Sequence, residues 1–232
     1  MATLTEGFLW YVVFLFSTTF HEAGHAFVAM KLGDRTAYYG GQVSLDPIPH
    51  IRRSPFGMVI FPILSFVLGG WMVGWASTPY NANWAYQYPK RSALMALAGP
   101  ISNLLLILLS ALLIHIGIAL GVFQVPTNIV FSHVTQASHS GIVSALAMLV
   151  SILFSLNLIL FVFNLIPLPP LDGSAMVPLL LGENKARAYM EFISNPAYMF
   201  LGLFIAWKIF GYLFSPLYLL FINLLYPGNS FM

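Results

Sequence analysis

The stretch Phe20-His21-Glu22-Ala23-Gly24-His25 lies inside a long apolar run, and the interpretation of the whole chain starts from it. It has the pattern His-Glu-x-x-His. On a helix, residues four apart share one face, so His21 and His25 can reach one metal ion with Glu22 beside them. The surrounding run, residues 8–30, is long enough to cross a bilayer, which needs roughly 20 residues. Ionisable side chains are costly at that depth, so we interpret them as a functional site.

The composition of the chain is that of a membrane protein. Of its 232 residues, 59% are hydrophobic and 7% are charged, whereas soluble domains carry about 25% charged residues. The net charge of +2 gives no basis for a nucleic-acid partner. Cysteine is absent, so any metal must be held by His, Asp or Glu. We therefore predict an integral membrane protein in contact with the lipid bilayer, built as a single domain over residues 1–232.

The third metal ligand is predicted from the position of the remaining acids. Asp172 directly follows a long apolar run, and the three prolines before it expose backbone, as in a built site. A catalytic zinc keeps three protein ligands and an open position for water. We predict one zinc per chain on His21, His25 and Asp172. Because zinc lowers the pKa of its water, Glu22 is the predicted general base that takes the proton.

Two asparagines are candidates for binding the substrate or the oxyanion that forms during peptide hydrolysis. Asn164 lies on the same broken segment as Asp172, and Asn103 is the second candidate. Asn164 could instead bond backbone carbonyls freed by Pro167, and Asn103 could serve helix packing. His50 could line the site. The other histidines are expected to be buried in a helix, for His115, or solvated in a loop, for His133 and His139.

Four apolar runs are long enough to be transmembrane helices. Besides residues 8–30, they are residues 93–122, 141–166 and 195–226. The sequence therefore predicts an all-α polytopic membrane protein with about four transmembrane helices. It leaves open whether the last run crosses once or bends back at Pro216, since proline interrupts a helix.

A fifth apolar run, residues 56–75, is predicted to enter the membrane and return on the same side. Asp172 must reach the metal near the end of the first span, so the span before Asp172 must run in the same direction as the first. That requirement leaves one of the intervening runs unable to cross. Residues 56–75 are broken by Pro62 and by Gly69-Gly70, so we predict that this run is re-entrant.

With this arrangement the basic residues collect on one face. The opposite face holds residues 1–7 and 123–140, which contain no Lys or Arg. An excess of Lys and Arg marks the cytoplasmic side of a membrane protein, so the active site is predicted to lie nearer the cytoplasm. The basic residues on the predicted cytoplasmic face are Lys31, Arg35, Arg52, Arg53, Lys90, Arg91, Lys185 and Arg187.

Residues 36–45 are predicted to form a small membrane-associated β-hairpin. Aromatic and β-branched residues flank Gly40-Gly41, which is a turn signal. A sheet edge can bind an extended peptide by adding it as a strand. We therefore expect a substrate to lie in extended form beside this hairpin.

Three motifs together resemble the site-2 protease family of intramembrane zinc metalloproteases. They are the His-Glu-x-x-His stretch, Gly99-Pro100-Ile101-Ser102-Asn103, and the segment from Asn164 through Asp172-Gly173. The resemblance implies zinc on His21, His25 and Asp172, Glu22 as base, and Asn164 as a residue that holds the substrate or its oxyanion. It also implies transmembrane proteins as substrates.

The branch of the family is indicated by further short motifs. Gly74-Trp75-Ala76, followed by Pro79 and Asn81, resembles a compact prokaryotic branch without a PDZ or other regulatory domain. The resemblance therefore implies a prokaryotic cell membrane as the location.

Two other function classes stay open at this point. The chain could be an inactive relative that binds membrane segments, although the intact Glu22 argues against this. It could also be a metal transporter, but transporters line their route with several intramembrane acids or histidines. A Glu22→Gln variant that loses proteolysis and keeps zinc would distinguish an enzyme from a transporter.

Overall fold

The computed structural model describes residues 4–229 and 231 of the chain and is mainly helical. Residues 1–7, which are predicted to lie on the face opposite the basic residues, therefore lie partly outside the described residues. Within this part, the helices are α1 (Leu4–Leu32), α2 (Thr36–Tyr39), α3 (Pro47–Arg53), α4 (Phe61–Gly69), α5 (Ala82–Gln87), α6 (Pro89–Ala119), α7 (Ile142–Asn164), α8 (Asp172–Met176), α9 (Glu183–Ile193) and α10 (Pro196–Leu225). A π-helical turn, Phe56–Ile60, leads into α4, and a 3-10 turn, Val177–Leu180, follows α8.

Three helices in the described part are long and apolar enough to cross a membrane, namely α6, α7 and α10. A fourth candidate is the bent pair formed by α3 and the helical stretch Phe56–Gly69, which meet at 114°. Helix α1 has 29 residues but is less apolar, because its second half carries the motif residues. The prediction of a helical integral membrane protein is confirmed, while the number of crossings stays a prediction.

The core is formed where α1, α6 and α7 pack together, with α10 against α7. Trp10 and Phe14 of α1 lie in one buried cluster with Leu156 of α7. A second cluster joins α6 and α7 to α10. Many large apolar side chains on the outside of these helices are exposed, among them Leu105, Leu108 and Leu112 of α6 and Phe200, Phe204 and Trp207 of α10. Such exposure is expected of helices that face lipid rather than water.

The chain returns to the end of α1 before α6 begins. Arg91 Nη1, near the start of α6, donates to the carbonyl of Leu32 at the end of α1 over 3.2 Å. Trp84 of α5 packs in one cluster with Ala29 of α1. Helix α6 therefore begins next to the end of α1 that carries the motif. The segment of residues 33–88 leaves α1 at this end and returns to it.

The return segment, defined here as residues 71–81, has no regular secondary structure and runs back along the helical stretch before it. The N–H of Val73 donates to Ser65 Oγ over 3.0 Å, and the N–H of Trp75 donates to the carbonyl of Gly57 over 3.1 Å. A Cβ at Gly57 would collide with the Trp75 carbonyl, so this close approach requires glycine. Gly70, with φ +76°, makes the reversal after α4.

The prediction of a β-hairpin at residues 36–45 is wrong. Thr36–Tyr39 forms a single helical turn, and the N–H of Gln42 bonds to the carbonyl of Ala37 over 3.0 Å instead of pairing across strands. The cause lies just before the segment: Asp34 accepts hydrogen bonds from both the N–H and the hydroxyl of Thr36. These bonds favour a helical start, as carboxylates do at N-termini. The strands that do form in the described chain, β1 (Phe123–Gln124) and β2 (Gln136–Ala137), pair antiparallel between α6 and α7.

Candidate metal centre

The three predicted metal ligands come together inside the bundle. His21 Nε2 and His25 Nε2, one helical turn apart on α1, lie 3.0 Å from each other. Asp172 Oδ2, at the start of α8, lies 3.1 Å from the first and 3.3 Å from the second. Within the described residues, these three side chains form the one group of His, Cys, Asp or Glu that could hold a metal ion.

The hydrogen bonds of both imidazoles turn their lone pairs toward this centre. His21 Nδ1 lies 2.7 Å from Asn103 Oδ1, and His25 Nδ1 lies 2.7 Å from the carbonyl of Met95. Both partners are acceptors, so each Nδ1 carries the proton and each Nε2 presents a lone pair. A second bond of this kind is typical of metal-binding histidines, where it fixes tautomer and ring orientation.

The donor set fits zinc. Asp172 Oδ2 is buried and has no hydrogen-bond partner in the described part of the chain, and it faces the two Nε2 lone pairs. Three electron-pair donors so close together repel one another unless a cation lies between them. In a tetrahedral zinc site, nitrogen and oxygen ligands about 2.0–2.1 Å from the ion lie roughly 3.3 Å apart, which is close to the separations observed.

Gly99 of α6 allows the backbone of that helix to lie directly against the imidazoles. A Cβ at this position would collide with His25 Nε2 and with the ring of His21. Gly99 therefore closes one side of the centre with backbone rather than with a side chain. The same close packing places Asn103, one turn further along α6, within reach of His21.

A buried polar chain connects His21 to three helices. Asn103 Nδ2 donates to Asn157 Oδ1 of α7 over 2.9 Å. Asn157 Nδ2 in turn donates to Ser17 Oγ of α1 over 2.9 Å. All three of these side chains are fully buried. The sequence prediction missed Asn157, although a polar residue in the middle of the apolar run 141–166 is a signal that could have identified it.

Glu22 is buried beside the metal ligands and is held by a residue that the sequence did not single out. Thr78 of the return segment donates its hydroxyl toward Glu22 Oε2 over 2.7 Å and toward the Glu22 carbonyl over 3.0 Å. The other carboxylate oxygen, Oε1, accepts no hydrogen bond from the described residues. One oxygen of Glu22 is thus fixed and the other is available.

The remaining sequence candidates are not members of this group of three possible ligands. Asn164 is the last residue of α7, and its side chain makes no hydrogen bond to the described residues, so its role stays a prediction. His50 is fully buried, with Nε2 3.1 Å from the carbonyl of Ser44, and is not part of the metal group. His115 was expected to be buried but is exposed on α6, while His133 and His139 are exposed in their loop.

A family model described as peptidase family M50 matches residues 9–207 of the chain, which include the whole metal centre. The chain belongs to peptidase family M50. This M50 peptidase is 33% identical over 195 residues to a candidate zinc metalloprotease, YwhC of Bacillus subtilis, covering 84% of this chain and 78% of that protein. It is 30% identical over 209 residues to another, Rip2 of Mycobacterium tuberculosis, covering 89% of this chain and 70% of that protein. No solved structure matches the chain significantly.

The family confirms what the motifs predicted at this level. M50 is the site-2 protease family, and the relatives are named for zinc metalloprotease activity. The protein is therefore a zinc metallopeptidase.

Asp34 links the end of α1 to the end of the return segment through hydrogen bonds. Its Oδ2 accepts the N–H of Asn81 over 2.7 Å, while its Oδ1 accepts the N–H and the hydroxyl of Thr36. Burial alone would raise the pKa of Asp34, but the hydrogen bonds from Thr36 and Asn81 outweigh burial and hold the pKa below its usual value. An ionised Asp34 thus ties the end of α1 to the end of the return segment.

Proposed function

We propose that this M50 peptidase hydrolyses a peptide bond within or near a transmembrane segment of a membrane-protein substrate. In this proposal one zinc ion is held by His21, His25 and Asp172, and Glu22 is the general base. The observation that carries it is the convergence of Asp172 Oδ2 with the two Nε2 atoms at 3.1 and 3.3 Å, in a helical bundle whose outer surface is apolar.

The proposed reaction assigns each proton to an atom of this chain. Zinc bound at the centre would lower the pKa of a water molecule and polarise the peptide carbonyl. Glu22 Oε1 accepts a proton from the attacking water as the water oxygen bonds to the carbonyl carbon. Glu22 then gives that proton to the amine nitrogen as the carbon–nitrogen bond breaks. The products are a carboxylic acid and an amine, so peptide plus water is balanced.

We also propose roles for the two asparagines. Asn164, at the end of α7 and on the chain segment that leads to Asp172, is proposed to hold the substrate or its oxyanion. Asn103 is the second candidate for that role. The contact of Asn103 with His21 at 2.7 Å supports an additional role in orienting the imidazole.

For the membrane topology, we propose that α1, α6, α7 and α10 cross and that residues 56–75 are re-entrant. The helical stretch Phe56–Gly69 spans roughly 21 Å at 1.5 Å per residue, which is short of a hydrocarbon core of about 30 Å. The return segment runs back along this stretch through its bonds at Val73 and Trp75. The contact between Arg91 and Leu32 supports the same arrangement, because it places the start of α6 next to the end of α1.

We propose that the site lies nearer the cytoplasmic side of a prokaryotic cell membrane. Eight of the basic residues would then face the cytoplasm, in agreement with the charge asymmetry of membrane proteins; Lys208 lies within α10 and is outside this set. The chain contains no cysteine, so a single introduced cysteine reports one position. A cysteine at exposed Asn83 should react with a membrane-impermeant maleimide only from the cytoplasm, and one at exposed Ser140 only from outside. Labelling of both from one side would contradict a crossing by α6. Labelling of Asn83 from the side opposite to a cysteine at exposed Tyr39, which precedes residues 56–75, would contradict the re-entrant arrangement.

The proposed activity is tested by replacing the base. Glu22→Gln keeps the size of the side chain but removes the proton acceptor, so cleavage should fall by roughly 100-fold or more. Quantitative proteomics of membranes from cells with the wild-type or the Glu22→Gln protein should reveal full-length membrane proteins that accumulate only with the variant. Purified Glu22→Gln should retain zinc like the wild type. Unchanged cleavage by this variant would end the proposal.

A further inference from the structure

We propose that Thr78 is a positioning residue for the general base: its hydroxyl holds one carboxylate oxygen of Glu22 and so turns the other toward the reacting water. This inference rests on the proposed role of Glu22. It concerns a residue of the return segment, far from the His-Glu-x-x-His motif in sequence, which neither the motifs nor the metal ligands identify.

The geometry gives the Thr78 hydroxyl one preferred acceptor. A hydroxyl has a single proton to donate, and it lies 2.7 Å from Glu22 Oε2 but 3.0 Å from the Glu22 carbonyl. A carboxylate is the stronger acceptor because the bond is assisted by charge. The carbonyl, in the middle of α1, already has a helical N–H as its partner. The proton therefore serves Oε2, which leaves Oε1 for the water.

The position of Thr78 does not depend on its own hydroxyl. Pro79 restricts the preceding residue to extended backbone conformations. On one side of Thr78, the N–H of Trp75 is bonded to the helical stretch before the return segment. On the other side, the N–H of Asn81 is bonded to Asp34 over 2.7 Å. The backbone on both sides is thus anchored, and removal of the hydroxyl should leave the segment in place.

The consequence of this bond is orientation of the carboxylate. The terminal torsion of a glutamate is broad and roughly two-fold, so without Thr78 the carboxylate of Glu22 can turn away from the water. Misplacement of a reacting group by about 1 Å can cost on the order of 100-fold in rate. Because the hydroxyl of Thr78 bonds to Glu22 and not to a predicted metal ligand, we expect the effect to fall on kcat and to leave KM and zinc content unchanged.

The experiment compares Thr78→Val, which keeps the shape and loses the hydroxyl, with Thr78→Ser, which keeps the hydroxyl. Full-length protein in lipid vesicles is assayed on a membrane protein that the wild type cuts and that Glu22→Gln cuts roughly 100-fold more slowly. Thr78→Val should lower kcat by about 10-fold or more, with KM within about 2-fold and zinc unchanged. Thr78→Ser should stay within about 3-fold of the wild type, since its hydroxyl can replace that of threonine. In a Glu22→Gln background, Thr78→Val should have no further effect on the residual rate.

A second readout does not depend on turnover. The infrared carboxylate band that disappears in Glu22→Gln should shift in Thr78→Val, because the carboxylate loses a hydrogen bond, and should keep its position in Thr78→Ser. A wild-type kcat in Thr78→Val, an unshifted band, or an equal loss of rate in the Glu22→Gln background would overturn the inference. If the wild type and Glu22→Gln cut equally, the proposed function fails instead, and the inference fails with it.

Discussion

Two regions of the molecule surround Glu22, and they are built differently. On one side, α1 carries His21 and His25 on consecutive helical turns, with both Nδ1 atoms bonded to α6. On the other side, the return segment has no regular secondary structure. Isolated hydrogen bonds from its backbone N–H groups to Ser65, Gly57 and Asp34 hold it in place. In our proposal, the helical side provides two of the metal ligands and the irregular side orients Glu22. Damage to the two sides should have different effects.

The largest effect is expected on the helical side. Asp172→Ala removes one of three metal ligands, so we expect purified protein to lose most of its zinc and its proteolytic activity to become undetectable. Zinc per chain is measured by elemental analysis. Glu183→Ala, which removes an acid of α9 that pairs with Arg187 of the same helix at 3.6 Å, is the matched control and should retain about one zinc. Zinc content equal to the wild type in Asp172→Ala would exclude Asp172 from the ligands.

A smaller effect is expected at Asn103, which contacts the predicted ligand His21 but is not itself a predicted ligand. Asn103→Ala leaves His21 Nδ1 without its acceptor, and loss of such a partner commonly weakens metal binding by roughly 10–100-fold. Competition with a chelator measures the affinity. Asn164→Ala is the comparison, because the proposed role of Asn164 in substrate binding predicts lower activity with unchanged zinc affinity. If both variants kept wild-type zinc affinity, the bond between Asn103 and His21 would have no part in metal binding.

The smallest effect is expected on the irregular side, at Asp34, and it should depend on pH. The pKa of Asp34 is held below its unfolded value, so its ionised form stabilises the fold above the unfolded pKa of about 3.9, and this contribution is lost as the pH falls through the folded pKa. Asp34→Asn should lower the thermal transition at pH 7 and flatten its fall with acidification. Thermal unfolding in detergent from pH 7 down to about pH 2, which spans the range below the unfolded pKa, measures both. A variant as stable as the wild type at pH 7 would show that these hydrogen bonds do not hold the return segment.

The grouping of His21, His25 and Asp172 could be predicted because it depends on local rules. Helical periodicity alone places His21 and His25 on one face, and Asp172 is marked by the prolines that end the preceding apolar run. Both features can be recognised without knowing how the helices pack. The apolar runs likewise correspond to α1, α6, α7 and α10, within a few residues at most ends.

The errors and omissions have a common physical origin in tertiary contacts. Residues 36–45 have the composition of a hairpin, but Asp34 starts a helical turn there by bonding Thr36. Asn157 contacts Asn103 because of the way α7 rotates against α6, which composition does not determine. Thr78 reaches Glu22 because the return segment doubles back along the helical stretch before it. None of these contacts follows from a periodic pattern.

The contact of α6 with the imidazoles has a consequence for inhibitor design. With Gly99 in place, backbone atoms occupy the space next to His21 and His25, and Asp172 occupies another side of the centre. Glu22 lies beside the ligands in sequence, and its Oε2 is held by Thr78 of the return segment. A metal-chelating compound with a substituent that also binds Glu22 would lie next to Thr78 and its neighbours in the return segment. Selectivity among related peptidases would then be determined by the return segment, while the chelating group provides affinity.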